Sequence, residues 1–301
     1  MSKTKDSPKL VHYEILPNGS KAPIIDIGPA PDFDQPENVG FGNWQDIKTF
    51  TKFYDPHDGD PGYVRDVIAK GYWIKLVWAD KGGTGKTAFC YGLVELLLRL
   101  GYKVVLVEAD ETNPDSSTPY ENDPRVRVEK FNLRAPDGIA KLVDMLEVNR
   151  PPMVVVNGAA ALNQPIGTDG DLLNDAVANF GYNMRVFWVM NTQDQTLHML
   201  DRFWSIMTNA KYHAVLNLKE AARRTVGEFE DYINSNIRHR IEAQGRTLVM
   251  PLGPTEAFNR AEKEGISLST QEADERILLS QRSFIAKWRR LMGVQFSRIM
   301  N

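Results

Sequence analysis

Residues 80 to 88 read DKGGTGKTA, a run in which glycines alternate with lysines and threonines. Gly82, Gly83 and Gly85 let backbone N–H groups turn inward around an anion, and the Lys86 ammonium is long enough to reach that anion's outer oxygens. The Thr87 hydroxyl is a hard oxygen of the kind Mg²⁺ takes, and Thr84 and Ala88 complete a lining of small residues. Such a set cradles the phosphates of a nucleotide. Lys81 is surplus to that chemistry, because a loop that only wraps phosphate needs one lysine.

A cradle of this kind works between a strand and a helix, whose N-terminus adds its dipole to the site. The sequence supplies both, WIKLVWA (73–79) before the loop and a helical pattern over 86–100 after it. The alternation continues through KVVLVEA (103–109), VRVEKF (126–131), MVVVN (153–157), RVFWVM (185–190), YHAVLN (212–217) and TLVMP (247–251). Most of these runs are apolar on both faces, as strands buried in a parallel sheet are. Helical patterns over 136–148, 169–180, 192–209, 225–243, 254–264 and 271–292 fill the gaps, and Phe229, Ile233, Ile237 and Ile241 make one core-facing stripe in the segment 225–243. The expected fold is α/β, a doubly wound, mostly parallel seven-stranded sheet with helices on both faces. Ahead of it, residues 1–72 form a proline- and aromatic-rich N-terminal extension, expected to be irregular yet too apolar for a solvated linker. Residues 73–270 form the core, and 271–301 a basic amphipathic helix.

Composition narrows the function. With 42% hydrophobic and 25% charged residues the chain is a globular protein, and a formal charge of −3 gives no whole-protein field that would recruit nucleic acid or anionic lipid. Cys90 is the single cysteine, so disulfides, zinc fingers and CxxC redox pairs are excluded, and its expected place is the packed interior of a helix. The sequence has no run of about 18 apolar residues and its start, MSKTKDSPKL, has no apolar signal core, so the expected address is the cytoplasm.

KGGTGKT resembles the deviant Walker loop of the ParA/MinD family of dimeric P-loop ATPases. The resemblance runs over roughly residues 73 to 270 and implies ATP and Mg²⁺ as cofactors, held by Gly82 to Ala88. It also accounts for the second lysine: Lys86 serves the nucleotide of its own subunit, while Lys81 crosses a homodimer interface to the partner's. GYKVVLVEAD is similar to the family's second strand, which ends in the switch I aspartate that positions attacking water near Mg²⁺; Asp110 occupies that place. HAVLN resembles the strand whose closing asparagine, here Asn217, contacts adenine. VMPLGPTEAFNRAEKEGISLS resembles the segment that closes over the base around Pro251.

The sequence also departs from that family. Asn157 stands where the Walker B aspartate is expected, Glu108 replaces a common aspartate, and ETNPDSS replaces the switch I sequence. An asparagine carbonyl accepts a hydrogen bond from Mg²⁺-bound water but brings no negative charge, so hydrolysis is expected to be slow or absent, with Asp115 or Asp169 as candidate substitutes. The single cysteine speaks against the cluster-, zinc- and metalloid-binding members of the fold. The resemblance therefore implies a positioning or partition ATPase with a cargo and an activator protein, most naturally in plasmid or mobile-element partition or conjugative transfer. A membrane-associated MinD-like ATPase, a small-molecule P-loop ligase or kinase, and a hydrolysis-deficient ATP-binding scaffold are the alternatives.

The segment QRSFIAKWRRLMGVQFSRIMN bears on the surface used. Phe284, Ile285, Trp288, Leu291, Met292 and Phe296 make an apolar stripe, flanked by Arg282, Lys287, Arg289, Arg290 and Arg298 with no acid among them. Such a helix lies in an anionic membrane surface, holds DNA phosphates, or docks on the sheet, and it would carry the protein to the nucleoid or the inner membrane.

Overall fold

A computed structural model describes residues 13–15, 21–23, 71–109, 116–158, 163–297 and 299. The chain divides into two compact units, Met1–Val39 and Gly40–Asn301. In the first, β1 (Tyr13–Ile15) pairs antiparallel with β2 (Lys21–Pro23), two short strands in a stretch expected to be irregular. Of the rest of the expected arm, Gly71 and Tyr72 lead into the sheet described next, and the other residues lie outside the described ones.

The second unit holds a seven-stranded sheet built from β3 (Tyr72–Trp78), β4 (Val104–Glu108), β5 (Val126–Lys130), β6 (Met153–Asn157), β7 (Tyr182–Met190), β8 (Ala210–Asn217) and β9 (Thr247–Met250). Its order is β5-β4-β6-β3-β7-β8-β9 and every pairing is parallel. The β-branched runs form these strands because both faces are covered, and β6 is buried along its whole length. From β3 the chain goes first to one side of the sheet and later to the other, so the order reverses beside β3. Ligands of open α/β sheets bind at such a reversal, outside the carboxyl ends of the strands.

The helices are α1 (Lys86–Arg99), α2 (Gly138–Asn149), α3 (Asn163–Asn179), α4 (Gln195–Ile206), α5 (Glu230–Ile233), α6 (Asn236–Gln244), α7 (Thr255–Glu264), α8 (Leu268–Ala273) and α9 (Leu279–Ser297). One face of the sheet packs under α1 and α9 in a core that joins Val77, Phe187 and Val215 to Phe89, Trp288 and Phe296. A side chain at Gly92 of α1 would meet Trp288 and Met292 at 3.2 Å, so the glycine sets how closely the two helices approach. The opposite face carries Trp78 and Trp188, both packed on Phe203 of α4.

Three expected helices differ from those observed. The segment 225–243 is broken into a 3₁₀ turn (Val226–Glu228), α5 and α6, because the Ser235 hydroxyl accepts from Arg238 N–H and starts a new helix. Tyr232 takes the buried place expected of Ile233, and its hydroxyl meets Thr247 Oγ1 at 2.6 Å. The segment 271–292 is split between α8 and α9, since the Asp274 carboxylate binds both the backbone and the guanidinium of Arg276 in a turn. Helix α3 begins six residues ahead of the expected 169, with Pro165 in its first turn, where a missing N–H costs nothing. Among the described residues no helix is long and apolar enough to cross a membrane.

Candidate phosphate-binding site

The strand β3 ends at Trp78 and α1 begins at Lys86, and the loop between them is shaped by glycine. Gly83 and Gly85 have φ of 75° and 96°, conformations that a side chain disfavours. At Gly85 a Cβ would also lie 2.5 Å from the Asn217 amide nitrogen and 2.9 Å from the Met250 methyl. Gly85 opens α1 without a side-chain cap, so the first N–H groups of the helix are left to the loop and to whatever the loop binds.

The two lysines diverge. Lys86 is buried and donates from Nζ to the Lys81 carbonyl at 3.0 Å, which also accepts from the Thr84 hydroxyl at 3.3 Å. The Lys81 side chain is exposed and leaves the loop to reach Gln193 Oε1, beyond the end of β7. Gly82 is exposed, while Thr87 and Ala88 are half-buried at the start of α1.

Asn217, expected to meet adenine, has another task. It is 2% exposed, donates from Nδ2 to the Thr84 carbonyl at 2.7 Å and accepts from Lys219 N–H at 3.1 Å. It ties the end of β8 to the loop, so its side chain positions the cradle. Pro251, buried just after β9, is anchored to α9 through its carbonyl, which accepts from Trp288 Nε1 at 3.2 Å.

Beside the loop, the strand ends carry an arrangement that sequence reasoning missed. Glu108 and Asn157 are register partners on the adjacent strands β4 and β6. Asn157 Nδ2 donates to Glu108 Oε1 at 2.9 Å, while Ser116 gives its N–H and its hydroxyl to Glu108 Oε2. The Cys90 thiol donates to Asn157 Oδ1 at 3.6 Å, and burial first, with the Glu108 charge second, pushes its pKa well above the usual thiol range. Cys90 is therefore a protonated, buried donor. The Asn157 carbonyl expected to face Mg²⁺-bound water faces this thiol instead. The carboxylate of this corner has moved to the neighbouring strand, and only strand order, which a sequence does not print, could have paired the two residues.

Hard oxygens suit a divalent cation, and beside the loop the described groups of that kind include the Thr87 hydroxyl, the Glu108 carboxylate and the Asp80 carboxylate, whose two oxygens are buried with no hydrogen-bond partner among the described residues, whereas the Asn157 amide is neutral and engaged. Asp110 and Asp115 lie outside the described residues. Asp169 falls within α3 and makes no hydrogen bond or ion pair to the described loop residues.

The apolar stripe of the last helix is spent inside the molecule. Ile285, Trp288, Met292 and Phe296 are at most 1% exposed, leaving Leu291 half-buried and Phe284 as the outward member. A lipid surface would need that face, so the membrane-lying reading loses its apolar half. The cationic row is also interrupted, since Arg289 pairs with Glu95 Oε2 at 3.0 Å and with Glu272, and Arg282 donates to the Ile277 carbonyl. Lys287 is half-buried and Arg290 exposed, and Arg298 lies outside the described residues.

The CobQ/CobB/MinD/ParA nucleotide binding domain model matches residues 75–268. Protein MobD of Acidithiobacillus ferrooxidans is 28% identical over 217 residues, spanning 72% of this chain and 92% of its own length. Among solved structures, the septum site-determining protein MinD complexed with Mg-ADP from Pyrococcus horikoshii OT3 aligns with 72% of this chain and 94% of its own, at 15% identity and a TM-score of 0.48. The MinD cell division protein of Aquifex aeolicus aligns with 73% and 97%, at 18% identity and a TM-score of 0.43.

Proposed function

Because the chain belongs to the CobQ/CobB/MinD/ParA nucleotide-binding family, we propose that it binds ATP with Mg²⁺ at Lys86 and Thr87 and that ATP joins two copies of the chain through Lys81. The ATP-bound dimer positions or partitions a cargo with the help of an activator protein, and the relative named MobD favours plasmid or mobile-element partition or conjugative transfer as the setting. The observation that carries this reading is the divergence of the two lysines. Lys86 is folded into its own loop, where a phosphate would replace the Lys81 carbonyl as its acceptor. Lys81, exposed and directed out of the loop, is the lysine free to reach another subunit.

When bound, Mg²⁺ supplies positive charge beside the β- and γ-phosphates. Thr87 holds it from the loop, and Glu108 provides the carboxylate that Asn157 does not. Asp110, two residues beyond β4 in the sequence, would orient the attacking water. Nucleotide binding then stabilises the dimer by mass action, and hydrolysis releases it. With the apolar face of α9 buried, DNA is the favoured surface for the remaining cations and a nucleoid address follows; anionic lipid at the inner membrane is the competing one.

Calorimetry tests the first step. Lys86→Ala should weaken nucleotide binding by ~100-fold or more, since it removes a charge-assisted contact to the phosphates; equal affinity in variant and wild type would refute the site. Light scattering with a non-hydrolysed ATP analogue tests the second, where Lys81→Ala should bind nucleotide yet fail to dimerise. ATP turnover measured alone, with DNA and with anionic liposomes separates the surfaces. Absence of turnover under all three conditions would make the protein an ATP-gated clamp.

A further inference from the structure

We propose that Lys75, Arg185 and His213, in the middles of three adjacent strands, form an oxyanion-binding site separate from the phosphate loop. The three residues lie on the adjacent strands β3, β7 and β8. Lys75 and Arg185 are register partners, and Phe187 and His213 are register partners one pleat further on. Residues two apart on a strand share a face, so all three side chains project to the side covered by α1 and α9. Lys75 lies three residues before the end of β3, roughly 10 Å by strand rise from the point where the phosphate loop begins.

All three are buried, at 1%, 8% and 3% exposure for Lys75, Arg185 and His213. Two of their donors nevertheless lack acceptors among the described residues. Arg185 Nε and His213 Nε2 are buried and make no hydrogen bond. The Lys75 ammonium rests 5.2 Å from the centre of the Trp73 ring, and the Arg185 guanidinium lies 4.9 Å from the same ring. His213 is stacked on Phe187, and its Nδ1 accepts from Arg246 N–H at 3.1 Å. That bond fixes the tautomer, so the proton of the neutral ring is on Nε2 and points away from Arg246.

Among the described residues, the charged groups that act on the cluster are all positive. Burial, and then Arg185, bring the Lys75 pKa down to about 7. Burial, followed by Arg185, Lys75 and Arg246, holds His213 down to about 3, against only a small opposing effect of the Arg246 N–H bond. Burial alone lowers Arg185. One aromatic ring shared between two cations is weak compensation for taking both out of water. An N–H of guanidinium, an N–H of imidazole and an ammonium on three adjacent strands are the donor set that a carboxylate or phosphate group satisfies, with the 8% exposure of Arg185 as its opening. The oxyanion comes either from solution or from a carboxylate carried by a polypeptide segment.

The test is thermal unfolding of the full chain in the presence of saturating Mg-ADP, titrated with inorganic phosphate against sodium chloride at matched ionic strength. If the site takes a free anion, phosphate raises the midpoint saturably in wild type while Mg-ADP occupies the phosphate loop, which isolates the effect from that loop. Arg185→Met should weaken half-saturation at least tenfold, and Arg185→Lys, which keeps the charge, should retain part of the response. If wild type does not respond but both Lys75→Met and Arg185→Met lower the midpoint, the oxyanion is a carboxylate of the chain itself, and the assignment stands with that source. No phosphate response, together with Met variants that unfold at the same or a higher temperature, would show that the cations are buried without a partner and would overturn the proposal.

Discussion

The ends of β4 and β6 and the middles of β3, β7 and β8 treat buried polar groups in different ways. At the ends of β4 and β6 the buried groups are engaged by neighbours, Glu108 by Asn157 and Ser116, Asn157 by Cys90, and the loop's Thr84 by Asn217, while Asp80 and Trp78 Nε1 beside them have no hydrogen-bond partner among the described residues. In the middles of β3, β7 and β8, Arg185 and His213 keep donors with no acceptor among the described residues, and two cations share one indole. Interlocked pairs fix a shape before a ligand arrives, which is what a phosphate cradle requires. Unengaged donors fix nothing by themselves and are costly until something supplies the acceptor.

The strongest way to break the interlocked end is to give it a second charge. Asn157→Asp would replace the donor 2.9 Å from Glu108 with another carboxylate. With both ionised at pH 7 this should cost about 3 kcal/mol or more in urea unfolding. The loss should shrink as pH falls, because protonating either acid restores a donor between them. Adding Glu108→Gln should rescue stability at pH 7 and return the carboxylate to β6. If hydrolysis needs an acid on that strand, turnover then rises in the double variant, whereas Asn157→Asp alone should not raise it. Unchanged stability of Asn157→Asp at pH 7 would mean that the pair is not the closed unit it looks.

Asn217→Ala should have a middling effect. It leaves the Thr84 carbonyl without its buried donor, for about 1–2 kcal/mol of stability, and it loosens the loop, so nucleotide affinity falls with it. A variant that loses stability but keeps full affinity would separate the brace from the cradle. Lys81→Ala should be the mildest change to the fold, within ~0.5 kcal/mol, because the side chain is exposed. A large destabilisation there would mean that Lys81 belongs to the interlocked end and not to a neighbouring subunit.

Much of this was legible in sequence, for reasons that differ by residue. The strands stood out because runs such as MVVVN and KVVLVEA have no face for water, and all seven formed close to their expected limits. The loop stood out because its glycines prescribe a backbone path, and Gly83 and Gly85 take the left-handed conformations that path needs. The breaks near Ser235 and Asp274 were hidden because apolar periodicity continues across them, while the cap and the turn that stop the helix are single polar residues. Glu108 and Asn157 are 49 positions apart and meet only through strand order. The same holds for Lys75, Arg185 and His213, which passed as ordinary members of apolar strands.

The strand order also has a consequence for synthesis. The central strand β3 pairs with β6 and β7, so Lys75 waits for Val155 on one side and for Arg185 on the other. A chain emerging amino end first therefore presents YWIKLVW with both edges open while the next two strands of the sheet are made. The helix that covers Phe89 and Phe187 is α9, which follows every strand. Parallel pairing across such separations is slow to close. On the ribosome, the phosphate loop is thus among the first parts of the core to be translated and among the last to be held in shape.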